Sequence, residues 1–503
     1  MTFRTFHQLL SALPSQLKPI HISGDGCAAA RPIRQLCEDS RHTDADALFV
    51  AIVGARSDGH DYLAAAYERG CRCFVVQREP SPALPSDADV FLVPDTRRAL
   101  AHLAAAYYDR PADHMTLVGI TGTKGKTTTA LLIYRLLEHL GVRAGYIGTE
   151  GAWYGENRES TANTTPSPLV LHGILYRMLQ SGVQTVIMEI SSQSVMQHRI
   201  EGLSFRIGAF TNLSPDHVSP TEHPTFEHYR DCKHAFLREG IAKNGTLLLH
   251  ISDPHAAYMA KGVSARIVTF GVDTAADLCA DRPLKTRLDG TPAIHFGCDG
   301  QSYLLSMAGE YNICNALCAV GILEALGYDR HATLSMLSHV SVPGRLENVA
   351  APEGCAVLID YAHNGLSLSS VLHTLRPYTA ERLICIVGSV GGRSQMRRAD
   401  LGDAAARYAD LTVLTADNPN FEDPRSICEE MAASFESRGQ DNYVIIPDRA
   451  EAIHAAVSML REGDVLLLAG KGCEDYQLIR GEKVPFSERE IVAEAIRAIL
   501  LPL

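Results

Sequence analysis

Short apolar runs alternate with longer amphipathic stretches along most of this chain. A clear case is Met115-Thr-Leu-Val-Gly-Ile120, an apolar run that predicts a short buried strand. Residues 127–140 follow with helical periodicity and stop at Gly141. Similar runs bounded by polar residues predict strands at 185–190, 208–213 and 245–250. Such alternation predicts a largely parallel sheet with helices on both faces.

The same alternation continues on either side of this region. Before residue 110, short strands and helices are predicted at 47–52, 61–69, 73–77, 90–93 and 97–108. After residue 342, strands are predicted at 356–360, 383–388, 411–415, 443–446 and 464–469, with a final helix at 487–500. Proline-containing breaks at Pro111 and Pro343 separate the regions. We therefore expect an α/β protein of three domains, 1–109, 110–342 and 343–503: the central one a doubly wound phosphate-loop sheet, the last one Rossmann-like.

Composition and charge narrow the class of protein. The 503 residues contain 46 Lys and Arg against 58 Asp and Glu, a net charge of −12, which argues against a nucleic-acid or anionic-membrane surface. No apolar run approaches the roughly 20 residues of a membrane span, and the first residues lack the apolar core of a signal peptide. The 13 cysteines include no CxxC pair, so their spacing indicates neither a zinc site nor disulfides. We expect a cytoplasmic monomer.

The stretch Gly119-Ile-Thr-Gly-Thr-Lys-Gly-Lys-Thr-Thr-Thr129 carries the strongest chemical signal. It places a glycine-rich turn between a strand and a helix, where backbone N–H groups and the helix dipole attract phosphate. Lys126 is placed to reach the β- and γ-phosphates, and the Thr127 hydroxyl to bind Mg²⁺. Ile120 departs from the common motif, which has glycine there. We predict a nucleoside-triphosphate site formed by Gly122, Thr123, Lys124, Gly125, Lys126, Thr127 and Thr128.

Polar residues follow the predicted strands at the edge where ligands of parallel sheets bind. Glu189 ends one central strand, and Asp216-His217 follows the next. A carboxylate and an imidazole there can bind Mg²⁺ directly or through water. Four loops of the last domain, 361–364, 389–393, 417–420 and 471–474, should converge on one crevice by the same rule. Lys233 lies on a predicted helix, where a lysine is usually solvated, and sequence alone assigns it no role.

Thirteen motifs occur in an order typical of one family. They are Asp39-Ser-Arg41, Asp58-Gly-His60, Thr121-Gly-Thr-Lys-Gly-Lys-Thr127, Asn163-Thr-Thr-Pro166, Met188-Glu-Ile-Ser-Ser192, Gln197-His-Arg199, Thr211-Asn-Leu-Ser-Pro-Asp-His217, Gly309-Glu-Tyr-Asn312, Pro343-Gly-Arg345, Asp360-Tyr-Ala-His363, Asp417-Asn-Pro419, Gly470-Lys-Gly472 and Phe486-Ser-Glu-Arg-Glu490. Together they resemble the Mur ligase family of ATP-dependent amide-bond synthetases, in particular members acting on UDP-N-acetylmuramoyl-L-alanyl-D-glutamate. Ile120 fits this family, whose phosphate loop also lacks the first glycine.

The resemblance implies a division of labour among the domains. The first would hold the UDP end of the nucleotide substrate, the second would bind ATP, and a mobile third would receive an amino acid. ATP would phosphorylate the D-glutamyl side-chain carboxylate, and the incoming amine would displace the phosphate. The resemblance also implies Mg²⁺ and a lysine carbamate formed with CO₂.

Site residues follow from the same resemblance. Catalytic roles are implied for Lys126, Lys233, His363 and Arg345, and nucleotide contacts for Asn315, Arg345 and Asp360. Metal ligation is implied for Thr127, Glu189, His217 and carbamylated Lys233. The UDP substrate would contact Ser40, His60, Thr164, Thr165, Ser191, Gln197 and Arg199. The amino acid would contact Arg393, Asp417, Asn418, Asn420, Gly470 and Glu474.

The identity of the amino acid depends on Asn420. Family members that add meso-diaminopimelate have arginine there, which can grip the distal carboxylate in two bonds. Asn420 has no charge, so we expect L-lysine first and ornithine next. Diaminopimelate remains the alternative if Arg393 or another basic residue replaces the missing arginine.

Three other interpretations stay open. Departures from the family pattern at Gln193, Asn364 and Cys473 would suit a divergent paralogue with another acceptor. A second interpretation is a folylpolyglutamate synthetase, which shares the fold. That enzyme lacks the first domain, which counts against this interpretation. A non-catalytic homologue would have no need of the carbamate lysine.

Overall fold

The α/β class predicted from the alternating pattern is confirmed. The computed structural model describes residues 4–27, 30–54, 57–215, 218–219, 222–392 and 395–500. The chain divides into two compact units, 1–270 and 271–503. Within the described ranges, no helix is long and apolar enough to cross a membrane.

The first part of the first unit contains a mainly parallel sheet. The strands of this part are β1 (Arg4–Thr5), β2 (Ile20–Ser23), β3 (Pro32–Ile33), β4 (Gln35–Cys37), β5 (Ala47–Val50), β6 (Cys73–Val76) and β7 (Asp89–Leu92), and its helices are α1 (Phe6–Leu10), α2 (Leu63–Glu68) and α3 (Thr96–Tyr107). Strands β1 and β3 pair with each other in a separate two-stranded sheet, and the other five strands form the mainly parallel sheet. The order is β2-β7-β6-β5-β4, with β2 antiparallel. Leu48 and Val50 face one apolar core and Phe49 the other, because side chains alternate across a strand.

A second sheet completes the first unit. Its strands are β8 (Thr116–Thr121), β9 (Ala144–Gly148), β10 (Gly151–Tyr154), β11 (Asn157–Glu159), β12 (Thr185–Glu189), β13 (Phe205–Phe210), β14 (Ile241–His250) and β15 (Arg266–Val272), and its helices are α4 (Lys126–His139), α5 (Pro168–Gln180), α6 (Ser192–Met196), α7 (Phe226–Ala235) and α8 (Ala256–Met259). The order β9-β12-β8-β13-β14-β15 is parallel, with β10 and β11 antiparallel at one edge. The central strand β8 therefore ends between β12 and β13, which is where the predicted polar residues gather.

The second unit begins with an antiparallel meander that the sequence did not predict. The meander consists of β16 (Leu278–Leu288), β17 (Thr291–Cys298) and β18 (Gln301–Leu305). The other strands of the unit are β19 (Glu347–Val349), β20 (Ala356–Asp360), β21 (Leu383–Ser389), β22 (Leu411–Ala416), β23 (Tyr443–Ile445), β24 (Val465–Ala469), β25 (Tyr476–Ile479) and β26 (Glu482–Pro485). The helices of the unit are α9 (Tyr311–Ala325), α10 (Arg330–Met336), α11 (Gly365–Leu375), α12 (Gln395–Tyr408), α13 (Pro424–Glu436), α14 (Arg449–Ser458) and α15 (Glu488–Leu500).

The main sheet of this unit has the order β19-β20-β24-β21-β22-β23 and is parallel except for β19. Strands β20, β21 and β24 are buried along their whole length, as expected of a sheet covered on both faces. The predicted strand at 356–360 has the observed bounds, and the other predicted strands here differ by one residue. Their carboxyl ends carry the loops predicted to form a crevice.

Candidate functional site

The phosphate loop joins β8 to α4 and is tied to the chain that leaves β13. Gly122 has a φ of 151°, and a Cβ there would lie 2.0 Å from Thr211 Oγ1, so only glycine fits. The Thr123 N–H donates to Asn212 O at 2.8 Å, and the Lys124 N–H donates to Asn212 Oδ1 at 2.9 Å. The loop is therefore held in shape by the protein itself, with the N-terminus of α4 at its end.

Two lysines donate to one carbonyl of this loop. Lys126 Nζ lies 2.9 Å from Gly122 O and 3.0 Å from Thr123 O, while Lys233 Nζ lies 2.8 Å from Gly122 O. Lys233 is only 1% exposed, and its Nζ lies 4.5 Å from the centroid of the Tyr229 ring. The sequence alone favoured a solvated lysine on α7; the structure instead buries it against the phosphate loop.

Glu189 is fully buried at the end of β12 and faces the start of α4. Its Oε1 accepts from Tyr146 Oη at 2.6 Å and from the Thr149 N–H at 2.9 Å. Its Oε2 accepts from Thr127 Oγ1 at 2.9 Å. Burial, with Glu189 beside the hydroxyl, raises the pKa of Tyr146 well above its ordinary value, so this phenol stays a donor. His217 and Asp216, predicted beside it, lie outside the described residues.

The residues predicted for the UDP substrate after β11 form one chain of hydrogen bonds that reaches Glu189. Thr165 Oγ1 donates to Glu189 O at 2.8 Å and accepts from the Ser191 N–H at 3.1 Å. Arg199 Nη1 donates to Thr165 O at 2.7 Å, and its Nη2 donates to Gln197 Oε1 at 2.7 Å. Thr164 Oγ1 lies 3.2 Å from Thr149 Oγ1, next to Glu189.

A cavity of about 210 Å³ opens beside this chain. It is lined by Glu38, Ile52, Arg97, Leu100, Asn163, Ser167, Pro168, Gln197 and Arg199. Burial lowers the pKa of Arg199, and the nearby Arg97 adds to this effect. Glu38 accepts from Ser167 Oγ at 2.7 Å. Sequence reasoning missed Glu38 and Arg97, since each is a single charge outside the motifs.

Ser40 and His60 do not line this cavity. His60 Nδ1 lies 2.6 Å from Asp58 Oδ1, and its Nε2 accepts the Gln77 N–H at 2.9 Å, so the proton is on Nδ1. Burial raises the pKa of Asp58, but hydrogen bonds from His60 and Arg78 outweigh it and bring the pKa to about 2. Both ring nitrogens of His60 are thus used within the fold, and Ser40 accepts from Thr43 Oγ1 through its carbonyl.

The second unit holds the remaining residues predicted to contact nucleotide. Asn315 is buried on α9, with its Nδ2 2.9 Å from Asn312 Oδ1. Asp360 accepts from the backbone N–H groups of Leu346 and Ala362, each at 2.8 Å, and burial raises its pKa. The guanidinium carbon of Arg345 lies 4.7 Å from the centroid of the Tyr361 ring. Asp360 thus joins the end of β20 to the segment before β19 that carries Arg345.

The predicted crevice of the last domain is a cavity of about 310 Å³. Its lining is Tyr361, His363, Val390, Gly391, Arg397, Asp417, Asn418, Asn420, Gly470, Glu474 and Leu478. It therefore brings together the amino-acid residues predicted there, apart from Arg393, which lies outside the described residues. His363 donates from Nδ1 to Tyr361 O at 2.8 Å, and burial lowers its pKa.

Lys471 organises the acidic side of this cavity. Its ammonium is fully buried and lies 3.3 Å from Asp417 Oδ1, 3.2 Å from Asn418 Oδ1 and 3.2 Å from Glu474 Oε2. Asn418 Nδ2 also donates to Glu474 at 3.0 Å. Two carboxylates thus share one ammonium, which leaves a net negative charge beside the cavity. The sequence placed Lys471 in a motif but assigned it no role, since burial is set by the fold.

Asn420 serves the backbone as well as the cavity. It has a φ of 55°, exchanges backbone hydrogen bonds with Leu478 and Arg480, and accepts the Gly481 N–H on Oδ1 at 2.8 Å. Asparagine is among the few residues that adopt this left-handed conformation readily. The residue thus pins the β25–β26 hairpin to the cavity rim, a role the sequence did not indicate.

A basic residue does line the cavity. Arg397, on α12, donates from Nε to His363 O at 3.0 Å. The expectation of L-lysine rested on the missing charge at Asn420, whereas Arg397 is a basic residue of the kind on which the diaminopimelate alternative depends.

Family models match three stretches of the chain. They are described as "Mur ligase family, catalytic domain" over residues 32–108, "Mur ligase middle domain" over 120–323 and "Mur ligase, glutamate ligase domain" over 344–472.

Similar proteins cover nearly the whole chain. UDP-N-acetylmuramoyl-L-alanyl-D-glutamate–2,6-diaminopimelate ligases from Geobacillus thermodenitrificans and Chlorobaculum tepidum are 36% and 38% identical to it. The alignments cover 91% and 93% of this chain and 94% and 92% of those proteins.

Solved structures share the fold. One of a ligase of the same name has a TM-score of 0.68 at 24% identity and covers 99% of this chain and 100% of its own. A Mycobacterium tuberculosis folylpolyglutamate synthase has a TM-score of 0.56 at 17% identity and covers 80% of this chain and 95% of its own. The three family models and the relatives above 30% identity place the chain in the Mur ligase family of ATP-dependent amide ligases.

Proposed function

We propose that this chain joins meso-2,6-diaminopimelate to UDP-N-acetylmuramoyl-L-alanyl-D-glutamate, with ATP converted to ADP and phosphate. The observation that carries the proposal is the name shared by relatives that are 36% and 38% identical over more than nine tenths of the chain. These relatives favour diaminopimelate, the alternative, over L-lysine. The reaction would serve peptidoglycan precursor synthesis in the cytoplasm.

The domain roles follow the same proposal. Residues 1–109 would hold the UDP substrate, 110–342 would bind ATP and 343–503 would bind the amino acid. The three family-model matches, 32–108, 120–323 and 344–472, each fall inside one of these ranges and support the division.

The reaction would proceed through an acyl phosphate. The D-glutamyl carboxylate takes the γ-phosphoryl group of ATP and releases ADP. The amine of the amino acid then forms a C–N bond at the acyl carbon, the bond to phosphate breaks, and the amine loses a proton. The phosphate loop N–H groups and Lys126 would stabilise the charge on the transferring group.

Thr127 and Glu189 fit a Mg²⁺ site. A hydroxyl and a carboxylate are the hard oxygen ligands this ion prefers, and they already lie 2.9 Å apart at the loop. The ion would supply charge neutralisation for phosphoryl transfer. Tyr146 and Thr149 would orient Glu189 through the other carboxylate oxygen.

Lys233 would act as a carbamate. Its nitrogen is buried beside Gly122 O. A positively charged ammonium at this position cannot act as a ligand of a metal cation. The ammonium first loses a proton; the neutral amine then reacts with CO₂, which forms an N–C bond and releases a second proton, so the cation becomes an anion with two oxygens. This supplies a further oxygen ligand on the phosphate-loop side.

The cavity of the last domain suits an amino acid whose distal end carries both an ammonium and a carboxylate. Asp417 and Glu474, sharing one lysine, favour the distal ammonium of diaminopimelate, and Arg397 can pair with its distal carboxylate. L-Lysine offers the ammonium alone. Arg397 thus takes the part that arginine at position 420 would play.

A competition experiment tests the amino acid. With equal L-lysine and meso-diaminopimelate, and the product identified by mass, we expect diaminopimelate to predominate. Arg397→Ala should reduce this preference about 10- to 100-fold, as expected for lost hydrogen bonds to a charged group. Arg407→Ala, on the same helix but paired with Asp403 outside the cavity, is the matched control and should keep the preference.

Three results would count against these assignments. Predominant incorporation of L-lysine would restore the interpretation of Asn420 as a missing cation. An unchanged preference in Arg397→Ala would remove Arg397 from the site while leaving the reaction. Absence of phosphate release with either amino acid would reject this acceptor altogether.

A further inference from the structure

A cluster of nitrogen and sulfur ligands lies on α7, outside the phosphate loop. His223 precedes the helix, and His228 and Cys232 occupy positions i and i+4 on it. One ligand atom from each of the three residues lies within 4.8 Å of the others. The spacing His-x4-His-x3-Cys lacks a CxxC pair, which is why cysteine spacing gave no zinc signal.

We propose that His223, His228 and Cys232 form a binding site for a thiophilic divalent cation of the Zn²⁺ class. Two imidazoles and a thiolate are typical zinc ligands, whereas Mg²⁺ prefers oxygen. The site is separate from the Mg²⁺ site proposed at Thr127 and Glu189. A water molecule would complete four-coordination.

The two imidazoles already face each other through the same type of nitrogen. His223 Nδ1 lies 2.9 Å from His228 Nδ1, so the pair can hold only one proton between them. With metal–nitrogen distances of about 2.0–2.1 Å, tetrahedral ligands would be about 3.3 Å apart, so the nitrogens need to separate by only a few tenths of an ångström. Binding would move that shared proton off the two facing nitrogens and would release the thiol proton of Cys232.

The other nitrogen of His223 is held as metal-bound histidines usually are. Its Nε2 lies 2.8 Å from Ser192 Oγ at the start of α6, which leaves Nδ1 directed at the cluster. A ligating histidine normally uses its second nitrogen in this way, and the partner fixes ring orientation. The ring of His223 is fully buried, so its orientation does not depend on solvent.

The helix end that carries the ligands is also fixed. Thr225 Oγ1 caps α7 by accepting the His228 N–H at 3.1 Å. His223 and His228 are thus joined by a capped turn with little freedom to lose on binding. The neighbouring Lys233 donates to Gly122 O on the phosphate loop, whereas His223 and His228 face each other.

Cobalt and zinc titrations of the full-length protein test the site. After removal of metal by chelation, and with excess Mg²⁺ present, Co²⁺ should bind with a thiolate-to-cobalt charge-transfer band. Zn²⁺ should abolish the band at one equivalent. Cys232→Ser should lose the band, and both Cys232→Ser and His228→Ala should weaken zinc binding more than about 100-fold. Cys314→Ser, another partly buried cysteine, is the matched control and should bind like the wild type.

Ser192→Ala tests whether the hydrogen bond to Ser192 orients His223 for metal binding. It should keep the charge-transfer band but weaken zinc binding about 10- to 100-fold, as removal of a ligand-orienting partner does. Absence of a cobalt band in the wild type would overturn the proposal. So would zinc binding that survives in both Cys232→Ser and His228→Ala, since the metal would then lie elsewhere.

Discussion

Lys126→Ala should fold like the wild type and lose nearly all phosphate release. The side chain is half-buried and donates to Gly122 O and Thr123 O, so its removal disturbs little packing. What is lost is a positive charge at the transferring phosphoryl group, and one such group typically accounts for about 10²–10³ in rate. Phosphate release with UDP-N-acetylmuramoyl-L-alanyl-D-glutamate and diaminopimelate measures it.

Lys243→Ala is the control for this variant, because Lys243 is exposed on β14 of the same sheet. It should retain wild-type turnover. Thermal unfolding of both variants should match the wild type. Near-normal phosphate release in a folded Lys126→Ala protein would show that this loop does not bind the reacting nucleotide.

Lys233→Ala should be almost inactive, with turnover reduced about 10³-fold by loss of an anionic metal ligand. Short carboxylates such as formate or acetate should restore part of the activity, because they can occupy the vacated anion position. A buried lysine that served packing alone would show no such rescue. The side chain is large and buried, so unfolding of the variant must be measured alongside.

The carbamate itself can be observed directly. In ¹³CO₂-equilibrated buffer, the wild type should show a carbamate carbon signal that Lys233→Ala lacks and Lys243→Ala keeps. Lys243 is a lysine like Lys233 but is exposed, so its removal controls for the loss of a lysine that is not buried. Full activity in Lys233→Ala, or a wild type without the signal under turnover conditions, would reject the modification.

The sequence predicted the parallel core well because its signals are local. The strand at 185–190 and the helix at 127–140 differ from β12 and α4 by one residue at each changed end. The strand predicted at 208–213 was shifted, since β13 ends at Phe210 and Thr211 and Asn212 leave the sheet to hold the phosphate loop. The polar, unevenly patterned meander β16–β18 carried no comparable signal.

The candidate site was predicted where motif residues meet at strand ends, as for Glu189 and Thr127. The burial of Lys233 and Lys471 was not, because a lysine's environment depends on residues far away in the chain. Arg397 and Glu38 are single charges without a pattern, and the fold alone brings them to cavities. Asn420 was interpreted by its missing charge, while its left-handed backbone was invisible in the sequence.

The left-handed backbone conformation at Asn420 limits how amino-acid specificity can evolve at the cavity rim. A residue other than Asn or Gly at position 420 must adopt a φ near 55° at a cost of roughly 1 kcal/mol, and it also loses the bond to Gly481. Asn420→Arg would thus gain a cation while loosening the hairpin. A lineage could exchange one amino acid for another more readily through position 397, on the regular helix α12, where side-chain changes leave the chain path intact.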